Sequence, residues 1–217
     1  MQRAAAALAV AAIASCTEVA ATAPAAPAYD PTQFTNGRVY HWPTGTTIAV
    51  YIDPVGTGGT VDLTGATIAA MTVWKAALDG SQFAIRTAAS AADADVIVHL
   101  NTAPRVVGLA GCDPPASDAG GVTFFCAASD SARTLPLLAG PTIGRVKMDI
   151  SINPAATNAT NTLRAIVVHE FGHALGIGGH SPDARDVMFP QPAVETPSQR
   201  DAITLRWLVR QRADLRL

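Results

Sequence analysis

The chain is short of aromatic residues (6%) and of charge (15% Asp, Glu, Lys and Arg), and much of its 49% hydrophobic content is alanine, so its core need not be large. It has no basic run and a formal net charge of −2. That leaves no field for a polyanion, and nucleic acid is excluded as a partner on electrostatic grounds. The apolar run from Ala4 to Ile13 is shorter than the roughly 20 residues that cross a bilayer. No internal repeat is present, and no calcium-binding loop is recognisable. A structural Ca2+ therefore has no support in the sequence, although a site built from backbone carbonyls would leave no trace there. Only three cysteines occur in 217 residues. The length suits one folded domain with an appendage, and a monomer is expected.

The appendage is at the start. "MQRAAAALAVAAIASC" has a basic residue, Arg3, then the apolar run, which is the form of an export signal. Its end, Ile13-Ala14-Ser15-Cys16, resembles a bacterial lipoprotein signal, in which Cys16 would be acylated. The alternative is a plain secretory signal cut near Ala23. The expected organisation is a signal over 1–15, an Ala/Pro-rich tether over 16–38 and a folded domain over 39–217. The expected location is the bacterial cell envelope, with the lipid as the sole membrane contact, or else secretion. With Cys16 lipidated, Cys112 and Cys126 form an even pair in an oxidising compartment. A disulfide between them would close a loop of about 15 residues and contribute ~3 kcal/mol; the alternative is two unpaired thiols.

Within the domain, 46–53, 83–88, 94–101 and 121–127 read as short strands. Residues 146–152 alternate, with Val146, Met148, Ile150 and Ile152 on one face and Lys147, Asp149 and Ser151 on the other, which predicts a strand buried on one side. Ile68, Met71, Trp74 and Leu78 predict a core-facing stripe on a helix capped by Asp62 or Thr64. His41 and His99 read as hydrogen-bonded structural residues. Ser198 and Asp201 fit a capping box for a last helix, along which Arg200, Arg206, Arg210, Arg212 and Arg216 read as a solvated face. The fold class is α+β: a mixed sheet with helices packed on it.

The segment with the most chemistry is "HEFGHALGIGGHS", residues 169–181. Thr160 or Asn161 can cap a helix beginning near Thr162. Leu163, Val167, Phe171 and Ala174 then share the packed face, and His169 and His173, four apart, share another. Neutral imidazoles so placed can bind one zinc ion, and Glu170 stands beside them. A catalytic zinc needs three protein ligands and one open position. Gly176 can take positive φ and turn the chain back. His180 is the best-placed third ligand, with Asp183 and Asp186 as oxygen alternatives farther along. A thiolate from Cys112 or Cys126 as a cap on the metal is a further alternative for those two residues.

"DVMFP", 186–190, places Met188 in a tight turn. With the histidine motif it resembles the metzincin clan of zinc endopeptidases, and "HEFGHALG" with the short tail is most similar to its matrixin branch. The clan's pattern puts the third histidine at 179, where this chain has glycine; Gly178 and Gly179 can absorb the extra residue. The resemblance implies a twisted mixed sheet with an active-site helix and a C-terminal helix. It implies zinc on His169, His173 and His180, Glu170 as general base and then acid, and Met188 as the apolar floor beneath the metal. It also implies a polypeptide substrate lying extended along an edge strand, here 121–127, with 189–194 walling the pocket. No pro-segment with a cysteine switch is found, and Pro190 stands where some members carry a tyrosine. The rival reading is a zinc-stabilised envelope lipoprotein that binds peptides without cutting them. A purely structural lipoprotein without zinc is the third.

Overall fold

The computed structural model describes residues 26–54, 61–78, 82–101, 119–127, 146–157, 162–213 and 215–216. Cys16 and Cys112 lie outside these, so the signal, the lipid anchor and the Cys112–Cys126 pairing stay expectations of the sequence.

The chain runs through β1 (Tyr40–His41), β2 (Thr47–Ile52), α1 (Leu63–Ala77), β3 (Ala84–Thr87), β4 (Val96–Leu100), β5 (Gly121–Ala127), β6 (Val146–Ile152), α2 (Leu163–Ala174), α3 (Gln199–Leu208) and β7 (Leu215–Arg216). The five-stranded sheet has the order β3-β2-β4-β6-β5. All its pairs are parallel except β5 with β6, which is antiparallel, with Thr123 opposite Ile150. This is the expected α+β architecture, with 121–127 at the edge. β1 and β7 pair separately, in parallel.

α1 and α2 pack on one face of the sheet and on each other. Ile48, Val50, Val96, Val98, Leu100, Met148, Ile150 and Ile152 meet them in the core. Apolar burial at roughly 25 cal/mol per Å² holds these layers together. Two of the three tryptophans clamp α2: the Trp74 indole donates to Val168 O (2.8 Å) and the Trp42 indole to Ala174 O (2.8 Å). Asp62 caps α1 through Gly65 N, and Thr162 caps α2 through Ala165 N. The expected α1 stripe needs one correction, since Ile68 is 48% exposed while Met71, Trp74 and Leu78 are buried.

β6 also departs from the alternating pattern. Asp149 and Ser151 are buried along with the apolar residues, so both faces of the strand are covered. Asp149 accepts from His99 Nε2 (2.7 Å), whose Nδ1 faces Leu100 O (3.0 Å). His41 lies between the carbonyls of Trp42 and Gln211. Both histidines are held in structural hydrogen bonds, as expected.

The packed structure begins before Val39. Tyr29 is buried and donates to Asp201 Oδ1 (2.8 Å), and Ala28 N donates to Thr204 Oγ1 (3.1 Å). Asp30 closes a turn onto Thr32 N (2.8 Å), and Asn36 and Gly37, with φ of 53° and 77°, reverse the chain into β1. A tether continuing to residue 38 is therefore corrected from residue 26 onward: two aromatic residues, Tyr29 and Phe34, anchor what composition alone reads as linker. The arginines are also less uniform than expected. Arg200 Nε donates to Asp186 (2.9 Å) and Arg206 to Ala77 O (3.2 Å), while α3 ends at Leu208, so Arg210 and Arg212 follow it and Arg216 falls in β7.

Candidate metal centre

α2 carries His169 and His173 one turn apart. The helix then closes in a Schellman arrangement: Gly176 N donates to His173 O (2.9 Å) and Ile177 N to Gly172 O (3.1 Å). Gly176 has φ of +121°, and a Cβ there would lie 2.6 Å from Tyr40 O. The reversal brings His180 back over α2. Its ring centroid is 5.1 Å from that of His169 and 5.2 Å from that of His173. One ligand nitrogen from each of the three lies within 4.8 Å of the others. Gly178 and Gly179 have no positive φ; they take up the extra residue by giving room to neighbouring backbone, not by an unusual conformation.

The donor set fits zinc. Nδ1–H of His169 donates to Val187 O (2.7 Å) and Nδ1–H of His173 to Ile177 O (2.6 Å). These bonds assign the tautomer and leave a lone pair on each Nε2. The two Nε2 atoms stand 3.2 Å apart, where facing lone pairs repel unless a cation lies between them. Nitrogens held about 2.0–2.1 Å from a tetrahedral ion stand at roughly this separation. Burial holds the pKa of His169 well below its ordinary value, reinforced by His173, and lowers that of His173 to about 4. Burial also lowers that of His180. All three rings are thus neutral near pH 7, the form that binds metal.

The oxygen alternatives are committed elsewhere. Asp186 is buried and accepts from Ser181 Oγ, from Ser198 Oγ (2.7 Å) and from Arg200. Asp183 is held by Arg185 (2.6 Å). Met188 is fully buried in the turn after them, its carbonyl accepting from Ser181 N (2.8 Å). Asp201, also fully buried, accepts from Val187 N (2.9 Å), Met188 N (3.4 Å) and Ser198 N (2.8 Å), as well as from Tyr29. The capping-box residue expected from sequence therefore also fixes the methionine turn, and through Val187 O the ring of His169.

Below the turn, a Cβ at Gly172 would run into Met188 Sδ and lie 2.7 Å from Trp74 Cζ2. Gly172→Ala should destabilise the protein by ~1–3 kcal/mol through overpacking, read as a lower denaturation midpoint. An unchanged midpoint would mean that α2 does not press on Met188 and Trp74 as described.

Glu170 is buried against β5. Thr123 Oγ1 lies 2.6 Å from Glu170 Oε2 and donates to it, and a Cβ at Gly121 would come within 2.5 Å of Glu170 Cγ. Residues 121 and 123 share one face of the strand, so glycine makes the space and threonine supplies the donor. Burial pushes the Glu170 pKa up to about 7, and the Thr123 hydroxyl pulls against that shift. The histidines and Glu170 open into a cleft of about 530 Å³ whose other walls include Phe34, Tyr40, Gly121–Phe124 and the segment Pro190–Pro192. The last of these lies within the expected wall 189–194. Sequence reasoning missed Thr123, Gly121 and Phe34. For Phe34 a signal existed: an aromatic residue standing in a stretch otherwise rich in small residues.

The matrixin peptidase family model matches residues 130–205, which include α2, His180, Met188 and the start of α3. Matrix metalloproteinase-A of Caenorhabditis elegans is 38% identical over 79 residues, which is 34% of this chain and 14% of that protein. The matched part is thus a small fraction of that relative's length. Both matches support a matrixin-like metalloprotease segment in this chain.

Proposed function

We propose that the chain is a zinc-dependent endopeptidase that hydrolyses internal peptide bonds of extended polypeptides. The observation that carries this reading is the convergence of three neutral imidazoles beside a buried carboxylate at the wall of an open cleft. His169, His173 and His180 would hold the zinc. Bound there, the ion would polarise a scissile carbonyl and lower the pKa of a water molecule. Glu170 takes one proton from that water as its oxygen adds to the carbonyl carbon, and delivers the proton to the amine as the C–N bond breaks. Edge strand β5 offers backbone pairing to an extended substrate. Met188, packed beneath α2, supplies the apolar floor.

A non-catalytic peptide binder would need no carboxylate buried at a cost beside its metal, so Glu170 favours the enzyme. Export and a lipid on Cys16 belong to the same proposal and rest on residues 1–16 of the sequence.

Purified protein should bind one zinc per chain and cleave an unfolded polypeptide. A chelator should abolish cleavage and added zinc should restore it. Zinc binding without cleavage would leave the peptide-binding reading; no zinc binding would remove both.

A further inference from the structure

His180 differs from the other two histidines in how it is held. His169 and His173 sit on a helix, and each has its Nδ1–H fixed by a carbonyl. His180 arrives on a loop, and among the described residues its ring has no such partner. The loop is gripped instead by the N-terminal segment. Gly178 N donates to Pro31 O (2.7 Å), Phe34 N donates back to Gly178 O (2.7 Å), and His180 N donates to Gln33 Oε1 (3.2 Å). The approach is close enough to demand glycine: a Cβ at 179 would run into Asp30 O, and one at 178 would lie 2.7 Å from Thr35 Cγ2. Phe34 then sets its ring edge-to-face on the His180 imidazole, 4.7 Å between centroids at 80°. Phe34 is 56% exposed, so core burial does not account for its placement.

We infer that Asp30–Thr35 is a strap that positions His180 as a metal ligand, with Gln33 fixing its backbone and Phe34 its ring. The inference rests on the zinc reading above and adds to it. The strap does for the third ligand what Val187 O and Ile177 O do for the other two. It also explains how a chain with one extra residue before that ligand still closes the site: the strap draws the longer loop in, and two consecutive glycines let it approach.

The test uses the full chain and measures zinc affinity by competition with a chelator, alongside the denaturation midpoint of the metal-free protein. Groups that orient a metal ligand typically change affinity 10–100-fold when removed. The double variant Gln33→Ala/Phe34→Ala should bind zinc at least about tenfold more weakly, with the metal-free midpoint unchanged because both side chains are at the surface. Phe34→Tyr, which keeps the ring contact, should bind as the wild type does. Wild-type zinc affinity in the double variant, with altered KM alone, would overturn the strap and leave Phe34 as a wall for substrate. His180→Ala separates the two levels. If it binds zinc as tightly as the wild type, the three-histidine site itself is wrong. If it is weakened while the double variant is not, only the strap is wrong. Cobalt(II) in place of zinc gives a readout independent of fold stability: its visible absorption should change in Phe34→Ala, and an unchanged spectrum overturns the strap.

Discussion

Glu170→Gln is expected to lower kcat by about 10²–10⁴-fold, the usual contribution of a positioned general base, while zinc binding is retained. Glutamine keeps the shape of the side chain against Gly121 and can still accept from Thr123, so the pocket stays closed around it. What it loses is the capacity to take a proton. Near-wild-type turnover in this variant would remove Glu170 from the chemistry. The same substitution has a second signature in the metal-free protein. Folding raises the Glu170 pKa from 4.5 to about 7, chiefly by burial. The folded chain keeps this proton where the unfolded chain has already released it. Between about pH 4.5 and 7 the folded state therefore binds more protons, and stability falls as pH rises. At pH 8 the accumulated penalty is roughly 3 kcal/mol. Metal-free Glu170→Gln should be more stable than wild type at pH 8 and close to it at pH 4. An equal difference at both pH values would mean that the carboxylate is not held out of water as described.

Asp201→Ala is expected to destabilise the fold by ~3–5 kcal/mol, since several buried donors lose their shared acceptor at about 1–3 kcal/mol each. Asp201 is fully buried and takes donors from three separate parts of the chain: Tyr29 on the N-terminal segment, Val187 and Met188 in the methionine turn, and Ser198 at the start of α3. Alanine leaves each of those groups without its acceptor in a dry environment. Against a typical total of 5–15 kcal/mol this is a large fraction. Denaturant unfolding measures it directly. Asp183→Ala is the contrast: that carboxylate pairs with Arg185 near the surface and its loss should barely move the midpoint. Equal effects of the two substitutions would mean that Asp201 is an ordinary cap and does not tie these segments together.

Much of the candidate site was legible in sequence because its parts are local. His169 and His173 meet through the pitch of one helix, and Gly176 marks the turn that returns His180. Thr123 and Gly121 were not legible as partners of Glu170, since their strand is distant in the chain and becomes a neighbour only when β5 joins β6 above α2. Asp201 could be read as a cap from its distance to Ser198, but its hold on Val187 and Tyr29 could not. Asp149 was placed on a polar face, which alternation alone would leave open to water; the structure buries it instead, bonded to His99 on the neighbouring strand.

The residues alone determined which groups can bind a metal, which carboxylate stands next to them and where the helix must end, because each of these follows from backbone geometry over a few consecutive positions. Packing decided the rest. Whether the late histidine reaches the other two, and what holds it there, depends on an N-terminal segment some 150 positions away. That contact exists because Tyr29 and Phe34 find surfaces built by α3 and by the histidine loop, and no local pattern encodes where such surfaces will lie.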